Sequence, residues 1–232
     1  MATRGKKYVK IAKGQNVNEV TLSEAIKEVK KQSYSTFTGT VEMHLVINLP
    51  KDKDPKSIKG SISLPHSAGK TKTVYVFTSA ENVAKAEKAG ADKVGLEDLI
   101  KEVQSGKIGF DIAIATPDIM AKLAVLGKEL GPKGLMPNPK TGTVAQAADL
   151  EDTIKAFKKG KQTFAADAQG GVHMNVGKLD MEDSMIIENI TKSIEVICDV
   201  FGKSAYSLIK GSYLAPTMGT SIKFKLDSSE VE

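Results

Sequence analysis

Two different patterns of apolar residues divide this chain, and they constrain its fold more than any other feature. Near both ends, apolar and polar residues alternate, as in residues 41–48 (VEMHLVIN), 172–176 (VHMNV) and 222–226 (IKFKL). Alternation of this kind predicts strands that are buried on one face only. Residues 74–77 (VYVF) and 112–115 (IAIA) are continuously apolar instead. Such short runs predict strands buried on both faces, as in a parallel sheet covered by helices.

Helical patterns separate these strands. Thr21 and Glu24 have the spacing of a capping box, and the apolar residues that follow predict a helix ending near Gln32. In the middle of the chain, helical patterns follow each buried strand, including one from about 118 to 130. A long amphipathic pattern covers about 183–201. The alternation of strand and helix in the middle predicts a small α/β domain.

The two ends of the chain are predicted to form one domain together. Residues 1–66 provide one helix and two strands, which is too little to bury a sound core. Residues 160–232 provide the complementary helix and strands. We therefore expect a discontinuous α+β domain from residues 1–66 and 160–232, with a mostly antiparallel sheet. The α/β domain of residues 67–159 would be inserted into it, with two chain crossings that permit hinge motion.

The charge distribution favours a polyanionic partner without proving one. The net charge is +5, and residues 1–66 hold 12 basic and 6 acidic side chains. The first thirteen residues contain no acid and five basic residues: Arg4, Lys6, Lys7, Lys10 and Lys13. Such an arm can neutralise phosphates and release counterions. A solvated, flexible terminus has the same composition, so composition alone leaves this choice open.

Several functional classes are disfavoured. A single cysteine excludes a disulfide scaffold and fits a reducing compartment. No apolar run approaches the roughly 20 residues of a membrane span, and the amino terminus lacks a secretion signal. We therefore expect a protein of the cytosol, or of an equivalent internal compartment, with no membrane partner.

No cofactor, metal or catalytic site is expected. His44, His66 and His173 have no metal-ligand spacing. Residues 64–71 (LPHSAGKT) superficially resemble a phosphate-binding P-loop, but Leu64 replaces the first glycine and a strand, rather than a helix, should follow. We expect the protein not to be an enzyme.

Two further segments have alternative interpretations. Residues 126–144 form a loop rich in glycine and proline whose three lysines either meet phosphate or face water. Phe37 and the segment Thr217-Met218-Gly219 would be neighbours at the rim of one sheet if both chain ends pair. Phe37 and Met218 would then contact a folded RNA, unless they are core residues.

The glycine-rich loop also carries a resemblance to a known family. Residues 130–144 (LGPKGLMPNPKTGTV) are similar to the signature of the L-one family of large-subunit ribosomal proteins, in its bacterial or organellar form. Further matches follow in the order of that family and cover almost the whole chain: Phe37 with Val41-Glu42-Met43-His44, Leu64-Pro65-His66, Phe110-Asp111, Gly171-Val172-His173 with Gly177-Lys178, and Thr217-Met218-Gly219. The resemblance implies a split RNA-binding domain with an inserted Rossmann-like, three-layer α/β domain.

The resemblance also implies a function. Such a protein would be a monomer off the ribosome that binds the rRNA stalk of the large subunit beside the site where deacylated tRNA leaves. It would assist release of that tRNA and repress translation of its own mRNA. By motif, the expected RNA contacts are Phe37, Glu42, His44, His173, Thr217, Met218 and Gly219. Lys6, Lys7, Lys10 and Lys178 are candidate phosphate contacts.

This sequence departs from the family pattern in one strand. Ala215-Pro216 precedes Thr217 where hydroxyl residues are common, and Gly211 lies in a stretch that is usually more polar. These changes remove potential hydrogen bonds to RNA. Pro216 lacks an amide donor, so it is expected at a strand end.

Two rival functions differ in class. A nucleotide-binding enzyme built on the middle domain would need a glycine-rich turn after residues 74–77, where Thr78-Ser79-Ala80-Glu81 stands instead. Fold-level likeness alone would not establish that activity. A pure protein-interaction module is made less attractive by the basic amino-terminal arm.

Overall fold

The computed structural model describes residues 5–13, 19–48, 58–69, 71–202 and 204–226. The chain divides into two compact units. Unit 1 comprises Met1–Gly69 and Phe164–Glu232, and unit 2 comprises Lys70–Thr163. The mixed α/β architecture, with one antiparallel and one parallel main sheet, is the predicted fold class.

Unit 1 is built from both ends of the chain. Its helices are α1 (Lys6–Lys13), α2 (Leu22–Gln32), α8 (Asp183–Phe201) and α9 (Ala205–Leu208). Its strands are β1 (Thr40–Ile47), β2 (Lys59–Ser63), β6 (Lys161–Ala165, which begins just before the boundary), β7 (Gly171–Lys178), β8 (Ile209–Pro216) and β9 (Ile222–Phe224).

The main sheet of unit 1 has the order β7-β1-β8-β9, and all neighbouring strands are antiparallel. The amino-terminal strand β1 therefore lies between two strands from the carboxyl-terminal part of the chain. His44 of β1 is opposite His173 of β7 on one side and Tyr213 of β8 on the other. Neither end of the chain could complete this sheet alone.

One face of this sheet is buried and the other is not. Val41, Met43 and Leu45 point into the core, where α2 and α8 pack, while Glu42 and His44 are only half-buried. The alternation in the sequence therefore corresponds to two different environments. Helix α2 begins with the predicted capping box: Thr21 Oγ1 accepts from Glu24 N, and Glu24 Oε2 accepts from Thr21 N.

A separate two-stranded sheet joins β2 to β6. A Cβ atom on Gly60 would lie 2.6 Å from Cε1 of Phe164, so the ring of Phe164 occupies the space that a side chain would need. Glycine at this position allows the buried Phe164 ring to lie against the backbone of β2.

Unit 2 is a continuous stretch of chain. Its strands are β3 (Val74–Phe77), β4 (Lys93–Gly95) and β5 (Ile112–Ala115). Its helices are α3 (Ala80–Lys88), α4 (Glu97–Gln104), α5 (Met120–Leu123), α6 (Gly127–Leu130) and α7 (Leu150–Lys159). The sheet has the order β4-β3-β5, and both strand pairs are parallel.

Both faces of the unit 2 sheet are covered. Every residue of β3 and β5 is buried. Tyr75 and Phe77 pack in one apolar cluster with α4 and α5, while Val74 and Val76 pack in a second cluster with α7. This arrangement gives three layers, and it explains why these strands are continuously apolar in the sequence.

The structure corrects one predicted helix. Residues 117–130 do not form the single helix expected from about 118, but alternate between 3-10 turns and the short helices α5 and α6. Pro117 starts the segment as a 3-10 turn, and Gly127, a poor helix former, lies where a second 3-10 turn ends and α6 begins. Apolar spacing alone did not reveal these interruptions.

Candidate nucleic-acid interface

The segments that carry Phe37 and Met218 are joined at the rim of the unit 1 sheet. Thr217 N donates to Thr40 O at 3.0 Å, and Thr40 N donates to Thr217 Oγ1 at 2.8 Å. Tyr34 N donates to Met218 O at 3.4 Å. Residues almost 180 positions apart are therefore held together by backbone and hydroxyl groups.

Phe37 and Met218 are exposed at this rim. Phe37 is 57% exposed and Met218 is 40% exposed, so the alternative that they are core residues is wrong. Phe37 borders a shallow depression that Lys30, Leu179 and Asp180 also line. Exposed large apolar side chains beside a polar depression are suited to packing on sugar or base faces.

Thr217 and Gly219 have structural roles that the sequence did not reveal. The Thr217 hydroxyl also donates to Thr40 O at 3.2 Å, which leaves one lone pair for a further donor. A Cβ on Gly219 would lie 2.4 Å from Pro216 Cγ and 3.2 Å from Gln32 O. The turn after β8 is therefore tight enough to require glycine, whether or not Gly219 contacts RNA. Strand β8 ends at Pro216, as expected for a residue without an amide donor.

The uncovered face of the sheet presents a row of polar side chains that crosses all four strands. The row runs from His173 through His44 and Tyr213 to Lys223. His173 is exposed, and the other three are half-buried. Asn175 lies in the next row, opposite Glu42. Tyr213, Asn175 and Lys223 were not among the predicted contacts, although each stands at an alternating polar position of its strand.

His44 and His173 form a close pair. Their Nδ1 atoms are 2.9 Å apart, and the rings meet edge to face with centroids 5.0 Å apart. At that distance one nitrogen must donate a proton to the other, because two lone pairs would repel. Burial lowers the pKa of His44 below its usual value, and the charge of His173 lowers it further, while Glu42 opposes both effects.

Asp167, in the turn before β7, lies close to His173. Asp167 Oδ1 accepts from Gly171 N at 2.6 Å and from Gln169 N at 2.9 Å, and these bonds lower the pKa of Asp167. Asp167 Oδ2 lies 3.6 Å from His173 Nε2. A Cβ on Gly171 would come within 3 Å of both groups, so glycine permits their approach.

The remaining candidates are less closely grouped. Glu42 Oε2 lies 3.9 Å from His44 Nε2. Lys178, half-buried at the end of β7, is opposite Thr40 in the sheet register. Lys6, Lys7 and Lys10, from the predicted basic arm, are exposed on helix α1, and they share no strand with the other candidates.

Within the described ranges, no group of three or more histidine, cysteine, aspartate or glutamate side chains is placed to hold a metal ion. Helix α3 of unit 2 follows Thr78-Ser79 directly, and the Ser79 side chain caps no amide. No helix in the described part of the chain is both long and apolar enough to cross a membrane.

In the glycine-rich segment of unit 2, the described backbone has positive φ at Gly134 and Gly142. Asn138 Oδ1 accepts from Lys140 N at 2.9 Å, which stabilises one of the turns. Lys128, Lys133 and Lys140 are exposed on this segment.

Comparisons with known proteins agree on one family. The model of the Ribosomal protein L1p/L10e family matches residues 7–220. The chain is 42% identical to two proteins named Large ribosomal subunit protein uL1, from Dehalococcoides mccartyi strains ATCC BAA-2266 / KCTC 15142 / 195 and CBDB1. Both alignments cover 97% of this chain and 96% of the relative. The chain therefore belongs to the Ribosomal protein L1p/L10e family.

Proposed function

We propose that this protein is a structural component of the large ribosomal subunit that binds the rRNA stalk through unit 1. Proteins of this family are structural components of the ribosome rather than enzymes. The similar proteins from Dehalococcoides mccartyi carry the name of a large-subunit protein. Both facts support an rRNA partner for this chain.

The observation that carries the proposal is the junction between the two chain ends. The hydrogen bonds between Thr40 and Thr217 hold the Phe37 and Met218 segments together. The rim then offers two exposed apolar side chains beside backbone and hydroxyl groups. Recognition of a folded RNA uses this combination, because ribose hydroxyls and phosphates need polar partners while unstacked bases need flat or apolar ones.

The open sheet face extends the same chemistry. His44, His173 and Asn175 can hydrogen-bond ribose or phosphate oxygens, and Lys178 can contribute positive charge. Glu42 is the exception among the candidates, since a carboxylate repels phosphate. Its place in the contact surface would be to accept hydrogen bonds from ribose 2′-hydroxyls or base amino groups.

Phe37→Ala tests the proposal. We expect the free energy of binding to a transcript of the rRNA stalk, obtained from the Kd in filter binding, to weaken by about 1–3 kcal/mol because one stacking or packing contact is lost. Val200→Ala is the matched control, since Val200 is also an exposed apolar residue of unit 1 but lies on α8. Equal affinity of both variants and the original chain would remove Phe37 from the contact surface.

Two finer activities follow from the same surface. Stalk binding would place the protein beside the tRNA exit site, where it would assist release of deacylated tRNA. A stalk-like structure in its own mRNA would compete for the same groups and repress translation. Competition between labelled stalk RNA and the leader of that mRNA tests the second activity. Simultaneous binding of both RNAs would count against a shared site.

A further inference from the structure

A basic groove lies at the β9 edge of the unit 1 sheet. Three lysines line it (Lys210 at the start of β8, and Lys223 and Lys225 at β9), together with a single carboxylate from Glu19. The groove is therefore positively charged even when its internal ion pairs form. None of these four residues is among the contacts that the sequence predicted.

Glu19 holds two of the three lysines. It forms an ion pair with Lys223 Nζ, and Lys225 Nζ lies 3.9 Å from its second oxygen. The hydrogen bond between Glu19 and Lys223 lowers the pKa of Glu19 and raises the pKa of Lys223, so both groups are charged at neutral pH. Among the ion pairs formed by the described residues, none involves Lys210.

The groove continues the row of polar side chains on the open sheet face. Lys223 is opposite Tyr213, which is opposite His44 in turn. Two strand spacings separate Lys223 from His44, a distance of roughly 10 Å. One structured RNA can therefore contact the histidine pair and the groove together.

The chemistry of the groove favours a phosphate backbone over a protein partner. Protein interfaces need an apolar centre. The apolar residues that line this groove, Ile209, Phe224 and Leu226, are buried or half-buried, and none of the exposed large hydrophobic residues in the described part of the chain lines it. Lysines on an edge strand also discourage unwanted strand pairing, but that role does not call for Lys210 on the neighbouring strand.

We propose that the RNA bound by unit 1 extends into this groove, where its phosphates displace Glu19 and are held by Lys210, Lys223 and Lys225. Exposed ion pairs are weak, so exchanging Glu19 for a phosphate costs little. Each lysine that neutralises a phosphate releases counterions and adds to the salt dependence of binding. Glu19 then acts as an internal competitor that reduces RNA affinity. This inference rests on the proposed function.

Lys210→Gln is the first test, because it breaks no ion pair seen in the described residues. In filter binding of the stalk transcript at several salt concentrations, we expect about two- to fivefold weaker binding and a smaller salt slope. The matched control is Lys59→Gln, because Lys59 is an exposed lysine on β2, in the separate two-stranded sheet, and likewise forms no ion pair among the described residues. If Lys210→Gln and Lys59→Gln bind alike, the groove does not contact the RNA and the inference is overturned.

For Glu19→Gln we expect the opposite change in RNA binding. Removing the competing charge should tighten binding about two- to fivefold and steepen the salt slope. Glu195→Gln is the control, since Glu195 pairs with Lys192 at 2.9 Å on α8. Thermal unfolding checks that Glu19→Gln leaves the fold intact. Unchanged or weaker binding by a folded Glu19→Gln variant contradicts the competitor role.

The two levels of the proposal fail differently. If the original chain does not bind the stalk transcript, the proposed function fails and this inference fails with it. If the original chain binds and Phe37→Ala weakens binding while the groove variants match their controls, only the inference fails. The lysines would then serve edge protection or an acidic protein partner instead.

Discussion

The two units build their sheets in opposite ways. The sheet of unit 2 comes from a continuous stretch of chain and is covered on both faces, so all residues of β3 and β5 serve packing. The sheet of unit 1 needs both chain ends and is covered on one face only. Half of its strand positions are therefore available for recognition. In this molecule, the alternation of apolar and polar residues marks the sheet that has a usable surface.

The largest expected effect is a difference in RNA affinity between the two units. The division predicted from the sequence, with unit 1 close to residues 1–66 and 160–232, would make unit 1 an independent RNA-binding domain. We expect residues 1–69 joined by a short linker to residues 161–232 to bind the stalk transcript within about threefold of the full chain, since strand β6 stays complete. Residues 70–163 alone should bind at least about a thousandfold more weakly, the usual gap between specific and non-specific binding.

Filter binding of both fragments measures this contrast. Circular dichroism is needed beside it, because an unfolded fragment would give no information about the surface. Binding carried by residues 70–163 would reverse the comparison between the units.

A second prediction concerns how the split unit is held together. Asn189, fully buried on α8, donates to Val176 O at 2.7 Å and to His66 O at 3.0 Å, and accepts from His66 N at 3.0 Å. Asn189→Ala leaves these three backbone groups without their partner, so the free energy of unfolding should fall by about 3 kcal/mol.

Chemical denaturation measures the change. Asn82→Ala, in contiguous unit 2, removes a single 3.4 Å contact with Ser79 and should cost under about 1 kcal/mol. Equal losses in the free energy of unfolding would mean that unit 1 does not depend more strongly than unit 2 on its polar side-chain contacts.

Thr217→Ala should have a smaller effect on stability. The hydroxyl bonds both to N and to O of Thr40, so its loss should reduce the free energy of unfolding by about 1 kcal/mol. RNA affinity should fall as well, because the Phe37 and Met218 segments lose a connection. Thr217→Ser keeps the hydroxyl and is the control. If alanine and serine bind RNA equally well, the hydroxyl does not position the rim.

The smallest expected effect is a pH dependence from His44. Its pKa is lowered in the folded state, chiefly by burial. The unfolded chain therefore takes up the proton first as the pH falls. The contribution to stability is complete above the ordinary histidine pKa of about 6.5 and decreases below it. As the pH is lowered from about 7.5 to about 5, the melting temperature should fall more steeply for the original chain than for His44→Gln.

His66→Gln provides a control for loss of a histidine, since His66 pairs with Glu188 outside the sheet face. If the melting temperature of His44→Gln falls as steeply with decreasing pH as that of the original chain, groups other than His44 cause the pH dependence.

Local sequence was sufficient for much of the fold. The alternation in residues 41–48 identified the outward positions of Glu42 and His44, and the capping box placed the start of α2 correctly. The buried strands β3 and β5 have the predicted bounds. These features depend on neighbours within a few positions, which is the range over which periodicity is informative.

The remaining features depend on register between distant segments. The 2.9 Å approach of His44 and His173 requires two strands about 130 residues apart in sequence to pair without a slip. The ion pairs of Glu19 depend on where β9 ends in the sheet. Neither feature leaves a local pattern. The sequence predicted that the segments of Phe37 and Met218 would be neighbours if both chain ends paired into one sheet, but only the structure shows that both side chains are exposed.

The central place of β1 in the sheet has a consequence for synthesis of the protein. Residues 40–47 leave the ribosome early, but their partners on both sides are residues 171–178 and 209–216. At usual elongation rates, β1 therefore waits on the order of 10–30 s for its second partner. Unit 2 is complete before either partner is made. The surface that we propose contacts RNA can consequently form only after residue 216 has been made, which prevents shorter nascent chains from binding RNA through it.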